Sequence, residues 1–176
     1  MCNFAESKTR NIKYIFNMRV ISNEAIRHNK ADDCEAVYSL ICDMESRQLP
    51  YEPFRQIYNL QLKSDLYTCL IYEKEGTVRG CINLRMEQQL HHAGKICEIM
   101  ELVVDGSCRS TGIGKTLFDA ACDEAKRHGC MQIEVCCNQL RERTHRFYKR
   151  QGMHNFHYKF SRSFTDDDDG TNRLGR

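Results

Sequence analysis

The feature that most constrains this chain lies between residues 101 and 128. An apolar run, Glu101-Leu102-Val103-Val104, leads into Asp105-Gly106-Ser107-Cys108-Arg109-Ser110-Thr111-Gly112-Ile113-Gly114-Lys115, and then into a segment with apolar residues at helical spacing. Strand, tight turn, helix is the pattern. The unpaired amides of a first helical turn converge at the positive end of the macrodipole and bind a phosphate or pyrophosphate without special side chains. Glycines let such a ligand approach the backbone, and Arg109 and Lys115 can add charge-assisted contacts. The spacing from Gly106 to Gly114 does not fit G-x-x-x-x-G-K-[ST], although Lys115-Thr116 follows, and Gly112-Ile113-Gly114-Lys115-Thr116-Leu117 lacks the last glycine of G-x-G-x-x-G. Taken alone, the turn marks an anion site of undefined purpose or simply a glycine-rich helix start.

The rest of the chain supplies a context of alternating elements. Residues 25–28 read as a short strand, and Asp32 or Asp33 as the N-cap of a helix carrying Cys34, Val37, Leu40, Ile41 and Met44, closed by Pro50. A second helix is expected over 52–63. Residues 67–72 and 78–86, separated by Glu73-Lys74-Glu75-Gly76-Thr77, read as an antiparallel hairpin. After a polar loop over 88–94, residues 96–105 form the longest strand and the expected centre of the sheet. A helix over 112–128 with a basic last turn, a strand over 131–137, a helix over 140–151 and a last strand over 156–160 complete the series.

The 176 residues fit one domain, with 41% hydrophobic and 28% charged residues, 10 Gly and 2 Pro, so fibre and wholesale disorder are not indicated. No apolar stretch approaches the roughly 20 residues of a membrane span, and the first residues lack the pattern of a secretory signal, so the cytoplasm is the default. A net charge of +2 argues against nonspecific nucleic-acid binding. The 11 cysteines include no C-x-x-C pair and sit in apolar runs, which favours reduced thiols used as small hydrophobes. Residues 1–18 read as an N-terminal extension, 19–162 as the folded domain, and 163–176, with Asp166-Asp167-Asp168-Asp169, as an acidic disordered tail.

Arg109-x-x-Gly112-x-Gly114 after the strand, Asn138 after the next strand, and Phe147-Tyr148-Lys149-Arg150-Gln151-Gly152-Met153 together resemble the GNAT superfamily of acyl-CoA N-acyltransferases, with Met153 in place of the last aromatic. The resemblance implies an α/β (α+β) fold: a mixed, mostly antiparallel sheet of six to seven strands, about four helices, and a splayed central strand pair. It implies acetyl-CoA as cosubstrate. The pyrophosphate would lie on Arg109, Ser110, Thr111, Gly112, Ile113, Gly114 and Lys115, the pantetheine along Leu102, Val103 and Val104, whose amides would polarise the thioester, with Asn138 fixing the arm. Tyr148 would be the general acid for the departing thiolate. A base must deprotonate the acceptor ammonium, and Glu101, Glu98 and Glu134 are the candidates in that order. Glu98 and Glu101 point to opposite faces of a regular strand, and a bulge would change that parity.

A narrower resemblance, in Ala36-Val37-Tyr38-Ser39-Leu40-Ile41-Cys42, Leu90-His91-His92, residues 98–104 and His145-Arg146-Phe147-Tyr148, is to the aminoalkylphosphonate N-acetyltransferases. It implies a small aminophosphonate acceptor and a link to a divalent metal, with His91 and His92 near the acetyl end of the crevice; no residue is assigned as a metal ligand. Arg55, Arg85 and Arg143 are the candidate phosphonate partners. The reading is a direct attack of the amine on acetyl-CoA in a ternary complex. Acetylation of a protein N-terminus or lysine, and a non-catalytic acyl-CoA sensor, are the alternatives. A closed pocket with arginines would fit the aminophosphonate and a shallow acidic groove a protein acceptor. Expected partners are acetyl-CoA and a small amine, without nucleic acid or membrane, and with a homodimer left open.

Overall fold

The computed structural model describes residues 24–162 and 164. The expected N-terminal extension and nearly all of the acidic tail lie outside the described residues. Nine elements follow one another: β1 (Glu24–His28), α1 (Cys34–Glu45), α2 (Tyr51–Leu62), β2 (Tyr67–Lys74), β3 (Thr77–Gln89), β4 (Gly94–Val104), α3 (Ile113–Arg127), β5 (Ile133–Val135) and α4 (Glu142–Arg150), with 3-10 turns at Ala31–Asp33 and Gly106–Cys108. The strands form one sheet in the order β1-β2-β3-β4-β5. The first four are antiparallel and β5 is parallel to β4. No helix among the described residues is long and apolar enough to cross a membrane.

Alternation along the strands sends side chains to two cores. Leu70, Ile82, Leu84, Cys97 and Ile99 pack on one face against Ile113, Leu117, Phe118, Ala121 and Ala125 of α3 and against Tyr148 of α4. Cys69, Ile71, Cys81 and Val103 pack on the other against Val37, Leu40 and Ile41 of α1 and Tyr58 of α2. Cys81 and Cys97 are almost fully buried among apolar neighbours, so these thiols act as small hydrophobes, and burial pushes the Cys97 thiol up to about 12. Gly80 sits where α3 lies closest to the sheet: a Cβ there would stand 2.9 Å from the Val103 carbonyl oxygen and 3.2 Å from Leu117.

Several local expectations are corrected. Among the described residues the sheet has five strands rather than six to seven, and residues 156–160 do not pair. Phe156, Tyr158 and Phe160 alternate as a strand would, yet all three are strongly exposed. Pro50 does not close α1, which ends at Ser46 in a left-handed conformation; Pro50 is instead the N-cap of α2. The β2–β3 hairpin turns tightly on Glu75 and Gly76, both at positive φ, and the loop expected over 88–94 narrows to a turn over 90–93, with Gln88 and Gln89 ending β3 and Gly94 opening β4. Asp33 stands at the N-cap position of α1 without capping it. Its carboxylate accepts from Arg27 at 2.7 Å through both terminal nitrogens and from the Lys30 amide at 2.7 Å.

Candidate active site

The centre of the site is a failure of pairing. Strands β4 and β5 are in register only at Cys97↔Ile133, Glu98↔Glu134 and Ile99↔Val135. Beyond Ile99, β4 runs on to Val104 without a partner on that side, and a cleft of about 1230 Å³ opens between it and the segment leading into α4. The splayed pair expected from the resemblance is therefore present. The Asp105 amide donates to Arg79 of β3 at 2.8 Å, so by strand alternation the amides of Val104 and Leu102 face the cleft and that of Val103 faces β3. The Val104 carbonyl agrees, accepting from Arg109 on the open side at 3.4 Å. Two of the three expected amides can therefore meet a ligand; Val103 instead sends its side chain into the core against α1.

At one end of the cleft the glycine-rich turn leaves backbone amides unpaired. Asp105 accepts from the Ser107 amide and hydroxyl at 2.8 and 2.7 Å and is paired with Arg79 at 2.9 Å, which fixes the strand's exit. Ser110 and Gly112 take positive φ, with Gly112 at 98°, and α3 starts at Ile113 without a side-chain cap. Thr116 is the first amide to close onto Gly112, so those of Ile113, Gly114 and Lys115 remain for an anion. Arg109, Ser110, Gly112, Gly114 and Lys115 line the cleft, while Thr111 donates to the Cys108 carbonyl at 2.7 Å and the Ile113 side chain is buried in the core. Arg143, Arg146 and Arg150 of α4 recur at helical spacing and line the same cleft. Sequence reasoning missed Arg146 and Arg150; their i+3 and i+7 spacing from Arg143 was the available signal.

Asn138 lies in the cleft wall. Its side-chain oxygen accepts from the Leu140 amide at 2.9 Å, which leaves the side-chain NH2 as a donor. Tyr148 lines the cleft from α4 and is only 8% exposed, packed against Phe118 and Phe147. Burial raises its phenol well above the ordinary value, so it stays protonated across the physiological range.

The three carboxylates separate clearly. The register steps from Leu84↔Ile99 to Asn83↔Glu101, making Met100 the extra residue of a β-bulge. The bulge brings Glu98 and Glu101 to the same face, opposite Arg85 and Asn83 respectively. Glu98 is taken up by Arg85 at 2.6 Å, with Lys159 at 3.7 Å. Glu134 pairs with Gln132 and stands 3.7 Å from His92. Glu101 alone lines both the cleft and a second cavity of about 380 Å³ between α1, α2 and the sheet. It accepts from Asn83 at 2.8 Å, and burial raises its pKa above the ordinary glutamate value.

The remaining candidates lie elsewhere. The rings of His91 and His92 lie 4.2 Å apart, tilted by 42°, on the turn between β3 and β4, at the far end of β4 from Glu101, and line neither cavity. Arg55 is paired with Glu52 on the surface of α2. Among the described residues, no group of three or more His, Cys, Asp or Glu side chains comes together to hold a metal ion, so no chemical step is assigned to one.

Residues 34–153 match the model of the acetyltransferase (GNAT) family. The chain is 36% identical over 138 residues to an aminoalkylphosphonate N-acetyltransferase of Salmonella typhimurium, covering 78% of this chain and 90% of that one. Among solved structures, an aminoglycoside N-acetyltransferase in complex with CoA superposes with a TM-score of 0.73 at 15% identity, covering 84% of this chain and 99% of that one. A glucosamine-6-phosphate N-acetyltransferase from Arabidopsis thaliana does so with a TM-score of 0.69 at 21% identity, covering 82% and 100%. These two likenesses concern the fold.

Proposed function

The chain belongs to the GNAT family of acetyl-CoA-dependent N-acetyltransferases, and from that premise we propose that it acetylates the primary amine of a small molecule held in the cavity beneath α1 and α2. The observation that carries this reading is the position of Glu101, the one carboxylate shared by the cofactor cleft and that cavity. Acetyl-CoA supplies the acetyl group as a thioester.

The chain's own residues do the rest. The amides opening α3, with Arg109 and Lys115, hold the pyrophosphate, and the Asn138 NH2 holds the pantetheine arm. The Leu102 and Val104 amides are offered along the cleft, fixed in advance toward negative charge developing on the thioester oxygen, the term that dominates acyl transfer. Glu101 accepts the proton of the acceptor ammonium, and its raised pKa makes it a better base than an exposed glutamate. Tyr148, kept protonated by its burial, gives its proton to the departing thiolate as the general acid.

The likeness to the Salmonella protein supports an aminoalkylphosphonate as the acceptor, with Arg143, in the lining of the cleft, as a candidate partner for the phosphonate. Release of free CoA thiol, measured with a panel of aminoalkylphosphonates, alkylamines, polyamines and peptides, tests the reading. Amine-dependent thiol release is expected. Tight acetyl-CoA binding without turnover on any amine would leave a non-catalytic acyl-CoA sensor instead.

A further inference from the structure

We propose that Arg146 and Arg150 of α4 hold the 3′-phosphate of the cosubstrate, so that the cleft selects acyl donors built on adenosine 3′,5′-bisphosphate over the same thioester lacking that phosphate. The inference rests on the acetyltransferase reading above and accounts for a part of the donor that the turn opening α3 does not.

The cleft carries more positive charge than a diphosphate needs. Arg109, Lys115, Arg141, Arg143, Arg146 and Arg150 line it, against the carboxylates of Glu45, Glu101 and Glu142. The whole chain has a formal net charge of only +2, so this excess is local. Several of these cations already have work. Arg141 is held by Glu45 at 3.3 Å, and Arg79, at the strand's exit, by Asp105 at 2.9 Å. Arg109 and Lys115 flank the free amides and serve the diphosphate. Arg143, toward the Asn138 end of α4, is left for the acceptor. Arg146 and Arg150 remain. Both are exposed, and among the described residues no carboxylate lies within ion-pair distance of Arg150. Arg146 has only the exposed Glu142 at 3.4 Å, a pair that water leaves weak.

Their place in the fold suits this ligand. A Cβ on Gly114 would stand 3.7 Å from the Phe147 ring, so the first turn of α3 lies directly against α4. Arg146 precedes Phe147 and Arg150 follows it by one turn. An i, i+4 pair shares one side of a helix, with about 5 to 6 Å between Cβ atoms. In coenzyme A only the ribose separates the 3′-phosphate from the diphosphate. A diphosphate on the Ile113, Gly114 and Lys115 amides therefore brings the 3′-phosphate to an element flanking that turn, and α4 is the one that offers cations. A phosphate monoester carries about −1.5 to −2 charge at pH 7 and three acceptor oxygens, which two guanidiniums match in charge and in geometry.

Calorimetric titration with acetyl-CoA and with 3′-dephospho-acetyl-CoA tests the assignment. The wild type should bind the dephospho donor at least about tenfold more weakly, the loss expected when charge-assisted hydrogen bonds to one dianion are removed. In Arg146→Gln/Arg150→Gln, acetyl-CoA should bind at least about tenfold more weakly while affinity for the dephospho donor changes by less than about threefold. Retained binding of the dephospho donor also shows that the double variant is folded. Lys149→Gln removes a cation from the same helix outside the cleft and should keep the wild-type discrimination, which separates a specific contact from general charge. Adenosine 3′,5′-bisphosphate should compete with acetyl-CoA in the wild type and lose that competition in the double variant. Equal affinities for the two donors in the wild type, or undiminished discrimination in the double variant, would overturn this inference and leave the acetyltransferase standing. Failure to bind acetyl-CoA at all would remove both.

Discussion

Glu101 and Tyr148 are held out of water in different ways, and their substitutions should differ accordingly. Tyr148 packs among Phe118 and Phe147, so Tyr148→Phe preserves the packing and removes only the proton donor. It should lower kcat by about 10² to 10⁴ while leaving KM for acetyl-CoA nearly unchanged, measured under saturating amine. For Glu101, burial raises the folded-state pKa above the unfolded one, so the carboxyl's contribution to stability is present at low pH and lost as pH rises through the raised value. Glu101→Gln keeps an acceptor for Asn83 and removes the buried charge. Its melting temperature should exceed that of the wild type at pH 8 and converge with it near pH 4. A lower melting temperature at pH 8 would mean that the carboxylate is a structural partner. Asp33 has the opposite sign. Burial alone would raise its pKa, but the hydrogen bonds from Arg27 and Lys30 outweigh it and hold the value down, so its contribution is lost on acidification. Asp33→Asn should cost about 1 to 2 kcal/mol in denaturant unfolding at pH 7, since it weakens the charge-assisted hydrogen bonds while Arg27 keeps Glu73 as a partner.

Elements rather than side chains position the cofactor cleft. Gly112, at φ 98°, turns the chain from the loop after β4 into α3 and sets the direction of the free amides. Gly112→Ala should cost about 1 kcal/mol and weaken acetyl-CoA binding more than it weakens the fold, as read by calorimetric titration beside thermal melting. This element was legible in the sequence because a strand, a glycine-bearing turn and a periodic helix depend on local spacing. The hairpin at Glu75-Gly76 and both helices beneath the acceptor cavity were legible for the same reason. The facing of the two glutamates was not: parity along 98–101 depends on the bulge at Met100, which arises from pairing with β3 and leaves no mark in the order of residues. Residues 156–160 show the converse. Their alternation is that of a strand, but a strand exists only with a partner, and among the described residues none pairs with them.

At the scale of the whole molecule, two cores on opposite faces of one sheet hold two cavities that meet at a single carboxylate. Helices α3 and α4 belong to the cofactor side, α1 and α2 to the acceptor side, and β4 is the wall between them. Binding acetyl-CoA should therefore stabilise the whole domain: at one hundred times Kd the gain is about 2.7 kcal/mol, or roughly 5 to 11 °C in melting temperature for a chain of this size. The junction itself is tested most directly by the pH dependence of kcat/KM for wild type and Glu101→Gln with two amines of different pKa, alongside the acetyl-CoA Kd of each protein. In the wild type, the ascending limb should lie above the ordinary carboxylate range and stay fixed when the amine is changed. In Glu101→Gln, that limb should vanish and the rate fall by about 10² or more, with the acetyl-CoA Kd unchanged. A limb that follows the amine's own pKa, together with an undiminished rate in Glu101→Gln, would contradict the assignment of Glu101 as the base.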